Sequence, residues 1–252
     1  MSRRTWRDTA EVLRHPSSAR SSRCNGVSTE GPKKFFCAWC PAGRASSLRY
    51  VSDCRLIVFV KAPRAGFVKT RLAAALGPHG ALAAYRALVE RVLGELSPLR
   101  DVELRFSPDD AAAEISPWLR PGWRTAPQDD GDLGARMNRA FAQSFASGAT
   151  RVVLIGSDCP HVTTGDIAAA AAALADHDAV FGPAEDGGYW LVALRAPAPG
   201  LFEQIEWSTE GVLAQTLARA QSLGLRAHLL RTLPDVDTVE DWQRYLAQGQ
   251  QQ

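Results

Sequence analysis

The sequence predicts the α/β fold class: one three-layer, Rossmann-like domain built on a mainly parallel sheet. Three observations carry that expectation. From Arg55 onward, short apolar runs rich in β-branched and aromatic residues alternate with Ala/Leu-rich stretches of helix length. The runs are continuous rather than alternating, as in strands buried on both faces. A βαβα order of this kind puts helices on both sides of a parallel sheet. Strands are expected at Leu56–Val60, Val102–Phe106, Val152–Ile155, Ala179–Phe181, Trp190–Leu194 and Ala227–Leu230. Helices are expected at Leu82–Leu96, Leu133–Phe145, Ile167–Leu174 and Val212–Leu223, with the Ala-rich DIAAAAAALADHD read as tightly packed helix.

A chain of 252 residues that is 46% hydrophobic has ample apolar material for a core. Its net charge of +2 hides an asymmetry: residues 1–54 carry ten Lys/Arg against four Asp/Glu, and the remainder 19 against 23. The body is therefore slightly acidic, which argues against a nucleic-acid partner, because a duplex-binding face needs concentrated basic charge. No run of eighteen or more apolar residues exists, so no membrane span is expected, and the protein reads as cytoplasmic.

Residues 1–54 are rich in Ser, Arg and Gly, lack periodicity and contain no apolar stretch of signal-peptide length. They read as a disordered leader outside the functional protein, translated from upstream of the true start. Four of the five cysteines, Cys24, Cys37, Cys40 and Cys54, fall there, which leaves Cys159 alone in the body and speaks against a disulfide framework. Cys37 and Cys40 have redox or zinc spacing but lack the second ligand pair or the preceding strand that either site needs. Residues 55–247 form the expected domain and 248–252 a flexible tail.

In open α/β sheets, ligands bind beyond the carboxyl ends of the strands, so the residues that follow each strand are the candidates. After the first strand stands VKAPRAGFVKTRLA, with Lys61, Arg64, Lys69 and Arg71 around Pro63 and Gly66 and no acid among them. Gly66 lets backbone approach a ligand, and the cations can converge on phosphate oxygens near the next helix. The spacing is neither a Walker A loop nor a dinucleotide fingerprint, and a solvated basic loop is the alternative. In IGSDCP, Asp158 can ligate a divalent cation or cap the following turn. In FGPAEDGGYWLVAL, Asp186 precedes Gly187 and Gly188, either at a ligand or in a tight hairpin. Behind the last strand, Asp235 and Asp237 precede Thr238, a candidate helix cap, with Asp237 a candidate second metal carboxylate. PQDDGDLGARMNRA supplies Gln128, Gly131, Asp132, Gly134 and Arg136 before a helix; it suits a nucleobase edge, or an acidic first turn. The histidines His79, His161, His177 and His228 follow no metal-ligand spacing, and no hydrolase motif is present.

Taken in order, VKAPRAGFVKTRLA, GDLGARM, LIGSDCP, GPAEDGGYW, WSTEGVLAQT and DVDTVEDW closely resemble the small bacterial GT-A-like transferases that carry a domain of unknown function. Many members are named radical-SAM/selenodomain-associated or arsenosugar-biosynthesis glycosyltransferases. The likeness spans about residues 55–247 and implies a fold of the nucleotide-diphospho-sugar transferase type. It implies that Lys61, Gly66, Lys69 and Arg71 face donor phosphates, with Gln128, Gly131 and Gly134 by the base. It further implies Asp158 and Asp237 at Mg²⁺ or Mn²⁺, catalytic roles for Lys69 and Asp186, and an acceptor side made by Gly187, Gly188, Trp207, Ser208 and Thr209. The expected activity is metal-dependent transfer from a nucleotide-sugar to a small-molecule acceptor. The Asp-x-Asp usual in glycosyltransferases is absent around Asp158. The competing readings are nucleotidyl transfer from a nucleoside triphosphate with release of pyrophosphate, and a nucleotide-binding module without catalysis.

Overall fold

The computed structural model describes residues 54–249. Residues 1–53 of the expected leader, with its Cys37/Cys40 pair, and residues 250–252 of the expected tail lie outside them; Cys54, read as leader, instead opens the first strand, and residues 248 and 249, read as tail, end the last helix. The element order is β1 (Cys54–Lys61), α1 (Thr70–Glu95), β2 (Val102–Ser107), α2 (Ala112–Ile115), β3 (Arg124–Pro127), α3 (Leu133–Ala146) and β4 (Arg151–Ile155). It continues with α4 (Thr164–Ala173), β5 (Ala179–Pro183), β6 (Tyr189–Leu194), α5 (Val212–Ser222), β7 (Ala227–Leu229) and α6 (Val239–Gly249). A seven-stranded sheet in the order β3-β2-β1-β4-β6-β5-β7 carries them, and β6 runs antiparallel to both its neighbours while the other pairings are parallel. This is the expected α/β, Rossmann-like class.

The three layers follow from the period of two along each strand. In β1, Leu56, Val58 and Val60 enter a core shared with Tyr85, Val89 and Val92 of α1 and Ile167 and Ala170 of α4. The intervening Ile57 and Phe59 enter the opposite core with Met137 and Phe141 of α3 and Ala220 of α5. Both faces of β1 are therefore covered, which is why its apolar run is unbroken.

Three elements differ from the sequence reading, and one of them, the four-residue helix α2, was not expected at all. The edge strand β3, Arg-Thr-Ala-Pro, is exposed or half-buried and offers no apolar run to read. The α1 span starts twelve residues before the expected Leu82, because a short helical segment from Thr70 precedes the main helix. Gly77, at φ 69 and ψ 167, is non-helical and separates the two segments, as a Gly-Pro pair ordinarily does.

Order and strand direction together position the site. The chain winds from β1 to β2 and β3 on one side and from β4 onward on the other, so the switch point falls between β1 and β4. Because β6 is antiparallel, the β5–β6 turn falls at the same sheet edge as the loops that leave β1 and β4. The β7–α6 connection is brought there too, as Val236 N donates to Asp158 O at 3.1 Å.

That connection is also tied to α4. Thr163 caps the helix in a reciprocal box with Asp166, and Arg231 donates from Nε and Nη2 to the two Asp166 oxygens at 2.7 Å each. Burial opposes ionisation of Asp166, yet the bonds from Arg231 and Thr163 outweigh it and hold its carboxyl below the usual 3.8. A depressed folded-state value stabilises above the unfolded value, and the gain is lost as pH falls through the folded one. Asp166→Asn should therefore cost about 1–2 kcal/mol at neutral pH. Thermal melts across pH should show the deficit closing below pH about 4; a deficit undiminished there would contradict the assignment.

Candidate functional site

At the switch point the sheet edge opens into a cleft of about 770 Å³. Its wall includes Lys61, Lys69, Arg71, Gln128, Asp158, Asp186, Gly188, Trp207, Ser208, Thr209 and Asp237, so residues from six separate segments meet in one place. Gly66, Gly131, Gly134 and Gly187 lie outside this wall.

Lys69 is the hub. Its Nζ lies 2.6 Å from Asp158 Oδ1 and 2.6 Å from Asp237 Oδ1, with only 4% of its side chain exposed against 52% and 38% for the two acids. Burial alone would lower the lysine's pKa, but the two carboxylates outweigh it and hold the value above the ordinary one. The ammonium stays charged. Lys69 also occupies the left-handed region, φ 47 and ψ 50, at the N-cap of α1, a costly conformation for a side chain with a Cβ. The first turn of α1 has no acid and no side-chain cap, which keeps it receptive to an anion.

The cations of the opening loop divide. Lys61 and Arg71 are exposed, and the Lys61 backbone is fixed by Tyr85, whose hydroxyl accepts from its N at 2.7 Å and donates to its O at 3.1 Å. Arg64 leaves the group: its guanidinium pairs with Asp110 at 3.0 Å and with Glu114, which fastens the loop to α2. The sequence pattern of four like charges could not reveal that pairing, since both acids lie more than forty residues away.

The cleft also carries acids. Asp235, given no role from the sequence, also lines the cleft, and burial together with Asp186 and Asp237 pushes its carboxyl up to about 6. The missed signal is the Asp-Val-Asp alternation at 235–237, which places two acids on one side of an extended segment. In the β5–β6 turn, Asp186 Oδ1 accepts from Gly188 N at 2.9 Å. Cys159 is inert packing: burial drives its thiol up to about 12.

The acids exceed Lys69 in number, which suits a divalent cation. No group of three or more His, Cys, Asp or Glu side chains with metal-binding geometry occurs among the described residues. A pair of carboxylates, each engaged through one oxygen by Lys69, is nevertheless the donor set that Mg²⁺ uses when substrate phosphates and water complete its shell. Asp158 and Asp237 fit that role.

Gln128 is buried with its amide committed: Nε2 donates to Val60 O at 3.0 Å and Arg105 O at 2.9 Å, and Oε1 accepts from Arg136 Nη1 at 3.1 Å. Its side chain therefore braces the wall rather than presenting a free edge. Gly134 and Gly187 act through packing: a Cβ on Gly134 would lie 2.5 Å from Phe202 O, and one on Gly187 would lie 2.1 Å from Glu210 O. They allow the 202–210 segment, with Trp207, Ser208 and Thr209, to close on α3 and on the β5–β6 turn. Ser208 is held at φ 66 within that segment.

Residues 95–209 match the family described as "Uncharacterized protein conserved in bacteria (DUF2064)". The chain is 31% identical over 199 residues to phosphoenolpyruvate guanylyltransferase of Chloroflexus aggregans (strain MD-66 / DSM 9485), covering 73% of this chain and 93% of that relative. A crystal structure from Desulfovibrio desulfuricans G20, provisionally named a nucleotide-diphospho-sugar transferase, is 36% identical with a TM-score of 0.71, covering 75% of this chain and 84% of that one. The 4-diphosphocytidyl-2C-methyl-D-erythritol synthase of Anaerococcus prevotii DSM 20548 shares the fold at 11% identity, with a TM-score of 0.53 and coverage of 80% and 99%.

The glycine contacts give a direct test of the cleft's construction. Gly187→Ala combines a positive φ of 85 with backbone in the way. It should cost about 2 kcal/mol or more. Gly66→Ala has the same sign of φ, 82, but open space around it, and should cost about 1 kcal/mol. Equal chemical-denaturation midpoints for the two variants would contradict the packing role of Gly187.

Proposed function

The chain belongs to the small bacterial GT-A-like transferases of the DUF2064 family, and on that premise we propose that it is a nucleotidyltransferase acting on a phosphorylated small molecule. Of the two transfer reactions expected from the sequence, the relatives' names favour this one over glycosyl transfer. The reaction joins a phosphate oxygen of the acceptor to the α-phosphorus of a nucleoside triphosphate, and the bond from that phosphorus to the bridging oxygen of the β-phosphate breaks. Pyrophosphate leaves with the electron pair. By analogy with the relatives named phosphoenolpyruvate guanylyltransferase, the acceptor is a phosphorylated carboxylic acid and the donor GTP.

The observation that carries the reading is one cleft lined both by the exposed cations Lys61 and Arg71 and by the acids Asp158, Asp186, Asp235 and Asp237, with Lys69 bonded to two of those acids. Lys61 and Arg71 hold the triphosphate, and negative charge that develops on the leaving pyrophosphate is stabilised by fixed cations. Lys69 keeps two acids from separate loops at one point. Asp158 and Asp237 would hold the divalent cation, which supplies charge neutralisation between donor and acceptor phosphates when bound. Trp207, Ser208, Thr209 and Gly188 form the acceptor side.

The acceptor's chemistry also sets the role of Asp186. A phosphate monoester is largely dianionic at neutral pH, with a second pKa of about 6, so its oxygen attacks without a general base. A sugar hydroxyl would require one. Asp186 then orients the acceptor loop through Gly188 rather than removing a proton.

Product analysis tests the proposal. Incubation with Mg²⁺, GTP and phosphoenolpyruvate should release pyrophosphate, with Asp158→Ala lowering the rate on the order of a hundredfold and Asp186→Asn by less than about tenfold. Release of a nucleoside diphosphate from nucleotide sugars, without pyrophosphate from any triphosphate, would instead establish the glycosyl reading.

A further inference from the structure

The cleft holds one cation whose role neither the fold nor the phosphate chemistry takes up, and its assignment rests on the nucleotidyltransferase reading. Arg136, in the second turn of α3, is half-buried in the wall beside Gln128 and Leu133. Its Nη1 donates to Gln128 Oε1 at 3.1 Å and its Nε to Asp132 O at 3.3 Å. Gln128 is itself immobilised by the backbones of β1 and β2, through Val60 O and Arg105 O. The guanidinium is thus oriented by two neutral acceptors on a rigid support.

Its charge, by contrast, is not met. Neighbouring Arg139 faces Asp129 at 3.7 Å, Arg64 has two acids and Lys69 two more, whereas no ion pair to Arg136 occurs among the described residues. Lys61 and Arg71 also lack ion pairs there, but they are exposed, as suits charge placed to hold phosphate. An anchored, planar group is suited to selection; a mobile one supplies affinity without it.

We propose that Arg136 reads the nucleobase and selects guanine over adenine. Arginine is a donor only, so it matches a base edge that shows acceptors and is repelled by one that shows a donor. Guanine presents O6 and N7 together, while adenine replaces O6 with an amino group. Leu133, 37% exposed in the same lining, offers apolar surface to the ring face. Gln128 is a positioning residue that acts through Arg136.

Equilibrium binding of nucleotides to the full chain with Mg²⁺ tests the proposal. The unaltered protein should bind GTP at least tenfold more tightly than ATP. It should bind inosine triphosphate, which keeps O6 and N7, nearly as tightly as GTP, and 7-deaza-GTP roughly tenfold more weakly. These three ligands need no variant. Arg136→Lys keeps the charge and loses the fork; it should weaken GTP about tenfold or more and ATP by less than about threefold. Equal weakening of both nucleotides by Arg136→Lys would make Arg136 a phosphate contact, and indifference to 7-deazaguanine with GTP and ATP bound alike would equally overturn the base assignment. Either result, with pyrophosphate still released, sinks the proposal alone; failure of every triphosphate to bind sinks the function with it.

Discussion

A buried ammonium between two carboxylates is the constraint around which the site is arranged. Lys69 follows β1, Asp158 follows β4 and Asp237 follows β7, so three connections from distant parts of the chain end at one charge. Each acid brought alone to the sheet edge would repel the other. With Lys69 between them they lie close together, each partly open to solvent. Breaking a buried pair leaves an uncompensated charge, so this contact fastens the loops to one another.

The sheet makes that convergence inexpensive in chain length. A reversal of winding between β1 and β4 leaves a crevice there without any special loop, and the antiparallel β6 turns the β5–β6 connection back to it. Glycines finish the fit where side chains would collide, at Gly134 against Phe202 and at Gly187 against Glu210. The bracing of Gln128 by two strand carbonyls extends the rigidity of the sheet into the cleft wall beside Arg136.

Much of this was legible in the sequence, for physical reasons. Strands buried on both faces write themselves as unbroken apolar runs, so six of seven were visible and only the half-exposed edge strand Arg124–Pro127 was not. Candidate residues that follow strands are equally readable, because the fold rule says where to look, and the structure brings three of them, Lys69, Asp158 and Asp237, together in one cleft. Pairings across long stretches of chain were not: the capture of Arg64 by Asp110 and Glu114, and the internal commitment of Gln128, depend on which side chains meet in space. Asp235 was read only as a neighbour of Asp237, because its place in the wall depends on the β7–α6 segment lying extended against Asp158. Nor does a motif set distinguish two reactions that share the same electrostatics, since nucleotidyl and glycosyl transfer both place cations and acids around a phosphorylated donor.

We propose that Asp158 and Asp237 work as one unit through Lys69. A double-mutant cycle on kcat/KM for pyrophosphate release, with Asp158→Asn, Asp237→Asn and the pair, measures this directly. Strong non-additivity is expected, each single change costing nearly as much as both together. Costs that multiply independently would show two separate groups, and the constellation described here would not be the reaction centre.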